Sequence, residues 1–148
     1  MNDSQHDASM PDSARRALML GGAVAAAGAI SSASAQQTRA LKIVLHVSEA
    51  DAWPAALSNA RNLSAKYPGV KVRVISDGSG VYGYQGSNDL ITEMAATAKA
   101  GVEYQACHNA LDEKKIPPSS LASFVKVVPA GVISLAEAQG EGFAYIKP

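Results

Sequence analysis

The chain has 148 residues, with 13 Lys and Arg against 13 Asp and Glu, one cysteine, and 5% aromatic residues. The length suits one domain, which usually holds about 100–200 residues. Zero net charge argues against a nucleic-acid surface, which needs an excess of Lys and Arg, and a single cysteine excludes an internal disulfide framework or a Cys-rich metal site.

Residues 1–35 read as a targeting segment. Arg15 and Arg16 stand directly before an apolar, Gly- and Ala-rich run, Ala17–Ile30. That run is shorter than the roughly 20 residues a membrane-spanning helix needs, so no stable membrane anchor is expected. Ala33-Ser34-Ala35 then supplies a small-x-small cleavage site. The paired arginines followed by Ala17 and Leu18 resemble a twin-arginine export signal, with Met19 where a lysine often stands. Cleavage after Ala35 leaves 113 residues, 11 Lys and Arg against 10 Asp and Glu, and a net charge of about +1. The mature domain, 36–148, is expected in the bacterial periplasm, an oxidising compartment. A lone thiol there is buried, paired with another molecule, or chemically used.

The mature chain alternates strand and helix patterns. Leu41–Val47, Val70–Ser76, Val102–Cys107, Phe124–Val128 and Phe143–Lys147 are short, apolar, β-branched runs of strand length. Ala52–Tyr67 has apolar residues at helical spacing, with Asp51 as a candidate cap, Pro54 in the first turn and Pro68-Gly69 as a stop. Asn88–Ala100 carries the clearest helical stripe, Leu90, Ile91, Met94, Ala95 and Ala98, before Gly101. Shorter helices are expected over Asn109–Lys115 and Ala130–Gln139. Strands separated by single helices imply right-handed βαβ units and a mostly parallel, five-stranded sheet with helices on both faces.

In such sheets ligands bind beyond the carboxyl ends of the strands. The residues that converge there are His46-Val47-Ser48, Asp77-Gly78-Ser79-Gly80, Cys107-His108 and Pro129-Ala130-Gly131. Cys107 ends a strand and begins a short helix, where unpaired backbone N–H groups favour an anionic sulfur. A buried, inert strand-end cysteine is the competing reading. His108 is adjacent and could add positive charge, although successive residues often point apart. His46 is a candidate base, ligand or core histidine, and it pairs with Cys107 only if the first and third strands are neighbours.

Gly78-Ser79-Gly80-Val81-Tyr82-Gly83 matches G-x-G-x-x-G literally. A dinucleotide site needs that motif to open a helix directly after the first strand; this one follows the second, and the next helix is delayed. A flexible loop over the strand ends, able to hold an anion on its N–H groups, is the better expectation. Gly78, Ser79, Gly80, His108 and Gly131 are thus ligand-binding candidates, with Cys107 and His46 as the chemical pair. Asn59, Arg61 and Asn62 form a polar cluster on the first helix, either exposed decoration or a subunit contact. No ligand-spaced cluster suggests a metal, no cofactor is expected, and no G-x-S-x-G elbow marks a hydrolase nucleophile.

The mature chain resembles the DsrE/DsrF-like proteins, particularly exported single-domain members, from about Lys42 to Pro148. The resemblance is carried by Lys42-Ile43-Val44-Leu45-His46-Val47-Ser48-Glu49, Asn59-Ala60-Arg61-Asn62, and the run from Gly101 through Cys107-His108 to Leu111. It continues in Val128-Pro129-Ala130-Gly131-Val132 and Gly142–Pro148. Asp77-Gly78-Ser79-Gly80 departs from it, since relatives often read His-Gly-Pro-Gly. The resemblance implies a three-layer α/β/α fold of flavodoxin-like layout and assembly into homotrimers or hexamers. It also implies, by analogy with sulfur-relay relatives, a persulfide carried on Cys107 and exchanged with a donor or acceptor protein or a small sulfur species. The alternative is a non-catalytic, oligomeric module that binds a small ligand or a partner.

Overall fold

The computed structural model describes residues 40–148; the leader expected over 1–35 lies outside the described residues. Five strands form one fully parallel sheet: β1 (Lys42–Val47), β2 (Lys71–Ser76), β3 (Glu103–Cys107), β4 (Val125–Val128) and β5 (Ala144–Ile146). Four α-helices connect them: α1 (Trp53–Lys66), α2 (Asp89–Lys99), α3 (His108–Glu113) and α4 (Gly131–Gly140). The expected elements are all present, with ends displaced by a residue or two. Asp51 proves not to be a cap; it sits in a 3-10 turn, Ala50–Ala52, that leads into α1. Asn88 does cap α2, its side chain accepting from the Ile91 N–H at 3.0 Å.

The sheet order is β4-β3-β2-β1-β5. From β1 to β4 the chain steps in one direction, and right-handed crossovers then put α1, α2 and α3 on one face. The last crossover runs back past β3, β2 and β1 to β5, so the same handedness puts α4 on the other face. Strand alternation agrees. Leu45, Val47, Val72, Val74, Tyr104 and Ala106 join the larger core with Trp53, Leu57, Met94 and Leu111. Val44 and Ile75 face the opposite way and pack with Leu135, Ala138 and Phe143 of the α4 side. One ten-residue helix is about 15 Å long and cannot roof five strands spaced about 4.8 Å apart. The α4 face is therefore thinly covered.

The segment expected as a flexible loop is a run of 3-10 turns, Gly78–Tyr84, with Gly80, Val81, Gly83 and Tyr84 buried. Trp53 donates its Nε1–H to the Gly80 carbonyl at 2.7 Å, and Tyr84 donates to the Gln105 carbonyl at 3.2 Å. Small residues let this backbone lie against the end of β1 and the Trp53 ring, where added β-carbons at Gly80 and Gly83 would overlap Val47 and the indole. Buried aromatic anchors, invisible in the glycine pattern alone, are what order it.

Candidate functional site

The carboxyl ends of β5, β1, β2 and β3 carry a row of side chains on the α4 face. His46, next to last in β1, holds its neighbours through both ring nitrogens: Nδ1 lies 2.8 Å from the Tyr145 hydroxyl and Nε2 lies 3.0 Å from Asp77 Oδ1. With a neutral ring, the Tyr145 hydroxyl donates to Nδ1 and Nε2–H donates to the carboxylate. The His46 side chain is 15% exposed, its bond to Asp77 is part-buried, and its bond to Tyr145 lies at the exposed rim.

Asp77 follows β2 and Cys107 ends β3. Ser76 and Ala106 are registered partners, so the next residues, Asp77 and Cys107, stand side by side at about the 4.8 Å strand spacing. Gly131, the first residue of α4, presses on both. A β-carbon built there would lie 3.1 Å from Asp77 Cβ, 3.2 Å from Cys107 Cβ and 3.3 Å from Asp77 Oδ2. A side chain there would fit only if Asp77 and Cys107 gave way by a few tenths of an ångström. No side chain caps α4, and Ala130 precedes it in extended conformation. The free N–H groups of its first turn therefore belong to this corner of the molecule.

Cys107 is in no disulfide and is 6% exposed. It counts among the residues of the larger core while its β-carbon faces Gly131, so the thiol stands where the two layers meet at the sheet edge. Gln105, two residues earlier, is 7% exposed, and its side-chain carbonyl Oε1 is the one buried side-chain N or O atom without a hydrogen-bond partner among the described residues.

The expected chemical pair is not formed. β2 lies between β1 and β3, so His46 meets Asp77 and not Cys107. The contacts of Gly78, Ser79 and Gly80 run to the β1–α1 connection. Ser79 Oγ accepts from the Ala50 N–H at 3.1 Å, Gly78 adopts a positive φ against the Ser48 carbonyl, and Gly80 N–H is spent on Ser48 and Asp77 carbonyls. The Gly80 N–H is thus not free to hold an anion. The G-x-G-x-x-G match opens no α-helix, which removes the geometry a dinucleotide needs. His108 turns away to pair with Asp112 at 3.3 Å on the exposed side of α3. Of the ligand-binding candidates, Gly131 is the one pressed against both Asp77 and Cys107.

Asp77 and Tyr145 are the members of the row that sequence reasoning did not single out as site residues. Strand-end position alone pointed to Asp77, whereas Tyr145 enters only because β5 pairs with β1. Asn59 and Asn62 line a groove with Ile43, Leu45, Leu63 and Ile146 on the opposite face, and Arg61 pairs with Glu93 of α2.

Comparison with known proteins agrees with this architecture. Among solved structures, the chain is similar to a protein of unknown function, MTH1491, from Methanobacterium thermoautotrophicum, at 29% identity and a TM-score of 0.68, covering 73% of this chain and 99% of that one. It shares the fold of the ychN protein from E. coli, at 15% identity and a TM-score of 0.62, covering 72% of this chain and 97% of that one. BT1422 from Bacteroides thetaiotaomicron, a conserved protein of unknown function, gives 16% identity and a TM-score of 0.61, covering 72% and 94%. The comparison with curated proteins returned no match. A family model spans residues 12–148, and with the five-stranded parallel sheet and its helices it places the chain in the DsrE/DsrF-like family.

Proposed function

We propose that the protein is an exported thiol carrier of sulfane sulfur, which Cys107 accepts and holds as a persulfide. The observation that carries this reading is the thiol's position. It sits at the carboxyl edge of a parallel sheet, directly under the uncapped start of α4 and beside the Asp77–His46–Tyr145 row. Family membership and the arginine-led segment before the domain support the sulfur role and export to the periplasm. Val132 and Ile133, 67% and 57% exposed on the first turn of α4, offer the apolar surface that a homotrimer or hexamer would cover.

The test is intact mass after incubation of the 36–148 protein with inorganic polysulfide. The expected product gains the mass of sulfur, loses it on reduction, and does not form in Cys107→Ser. An unmodified wild type, or an adduct that persists in the serine variant, defeats the reading. The burial of Cys107 favours a second reading, a binding module in which the thiol is structural. Under it, a thiol reagent reacts slowly with the native protein and quickly after unfolding, and Cys107→Ser leaves partner or ligand binding intact.

A further inference from the structure

We infer that Tyr145, His46 and Asp77 form an acyl-accepting site in which the Tyr145 hydroxyl is the nucleophile. The inference goes beyond the sulfur-carrier reading and uses no property of Cys107. A weak oxygen nucleophile becomes reactive when a base within hydrogen-bond reach takes its proton and a third group fixes that base. The row meets both conditions. Tyr145 Oη lies 2.8 Å from His46 Nδ1, and His46 Nε2 lies 3.0 Å from Asp77 Oδ1.

Asp77 decides which ring nitrogen is the base. An ionised carboxylate only accepts, so it holds the ring proton on Nε2 and leaves the Nδ1 lone pair facing the phenol. Sheet pairing fixes the backbones: the Asp77 N–H donates to the Val47 carbonyl at 3.2 Å, and Tyr145 is registered with Val44. The base is sheltered and the nucleophile stands at the rim, which is the order an incoming electrophile requires. Neighbouring charges leave this order in place. Glu49, beyond β1, is paired with Lys147 at 3.3 Å, and Lys42 and Arg73 are engaged with Glu141 at the amino end of the face. The first turn of α4 carries no charged side chain, Glu137 lies exposed a turn later, and Lys126 stands on β4, three strands away.

In the step, Tyr145 Oη bonds to the acyl carbon of R–CO–X while its proton passes to His46 Nδ1. The C–X bond breaks with its electron pair on X, and the imidazolium gives the proton to X. The products are Tyr145–O–CO–R and H–X, with His46 neutral again and no oxidant or reductant consumed. A phenol, of pKa about 10, accepts an acyl group readily only from donors whose leaving group is more acidic. Acyl phosphates and thioesters are that class.

The probe is p-nitrophenyl acetate at about pH 8, where an ordinary imidazole is neutral, with acetyl groups located by peptide mapping. Tyr67 and Tyr82 serve as references inside the same chain. They are 57% and 43% exposed, against 42% for Tyr145, and neither has a partner among the described side-chain hydrogen bonds. Native Tyr145 is expected to acetylate at least about tenfold faster than either, and unfolding in urea should remove that excess. His46→Gln should bring Tyr145 down to the reference rate, and Asp77→Asn should cut its excess severalfold. The pH profile of wild type decides the matter even if a variant fails to fold. An ordinary tyrosine reacts as its phenolate and gains about tenfold per pH unit below 10, whereas a base-assisted one levels off once the imidazole is neutral. The Tyr145 excess should therefore shrink between about pH 8 and 9. A Tyr145 no faster than Tyr82, an excess that survives urea, His46→Gln or Asp77→Asn, or a rate that climbs with pH in parallel with the references overturns the inference.

Discussion

The two faces of the sheet are built on different terms. One is roofed by α1, α2 and α3 over a dry core that includes Trp53, Leu57, Met94 and Leu111. The other is roofed, among the described residues, by α4 alone, with a five-residue apolar cluster at its centre and polar groups at its ends. At the amino end of that face Arg73 bonds Glu103 and Glu141 and lies 4.5 Å from the Phe143 ring centre; at the carboxyl end stands the His46–Asp77 row. A thick roof leaves strand-end side chains no outlet except packing. A thin roof leaves them water, charge and room to exchange ligands, and the side chains able to do chemistry gather there.

Breaking the thick side should cost most. Trp53 is fully buried, stacks edge-on with Tyr84 at 5.2 Å and holds Gly80. Trp53→Ala is expected to lose about 3–5 kcal/mol in urea unfolding, enough to unfold a marginal domain. Leu135→Ala, in the smaller cluster, should fall near the low end of the leucine range, about 2–3 kcal/mol, because its site is partly open. Equal losses at the two positions would erase the contrast between the faces.

Alkaline titration sharpens the same contrast. Burial pushes the Tyr104 hydroxyl up to about 12 despite its 2.6 Å bond with Thr97, and burial raises Tyr84 further; both belong to the thick side. A tyrosine raised in the folded state stabilises fully below the unfolded value of about 10. Above it the unfolded chain loses the proton first, so stability falls as pH climbs toward 12. Tyr104→Phe should flatten that fall in unfolding curves taken at successive pH values.

Gly131→Ala is the smaller test. A better helix former gains about 1 kcal/mol, which offsets crowding against Asp77 and Cys107. Stability should therefore stay within about 1 kcal/mol of wild type, while alkylation of Cys107 slows severalfold. Smallest of all, Tyr145→Phe removes one hydrogen bond to His46 at a partly exposed hydroxyl and should cost under about 1 kcal/mol.

Nearly all of the fold was legible in the sequence, because strand runs and helical stripes are local patterns and handedness then restricts their assembly. The site was legible only in part. Strand-end position placed Cys107, His46 and Gly131 at one edge, yet it could not order the strands along that edge. Putting β2 between β1 and β3 replaced a His46–Cys107 pair by His46–Asp77, and setting β5 beside β1 added Tyr145. The 3-10 run over Gly78–Tyr84 was missed for a related reason: its order depends on Trp53 and Gln105, distant in sequence.

The outer edge of β5 has one more consequence. All three of its residues are exposed, and among the described residues no strand lies beside the backbone groups of its far side. Such a rim invites an intruding chain to add itself by backbone pairing. Three residues offer few rungs for that, and Lys147 and Pro148 come directly after. The lysine brings charge and the proline lacks an N–H, so a ladder begun on β5 would stop almost where it started.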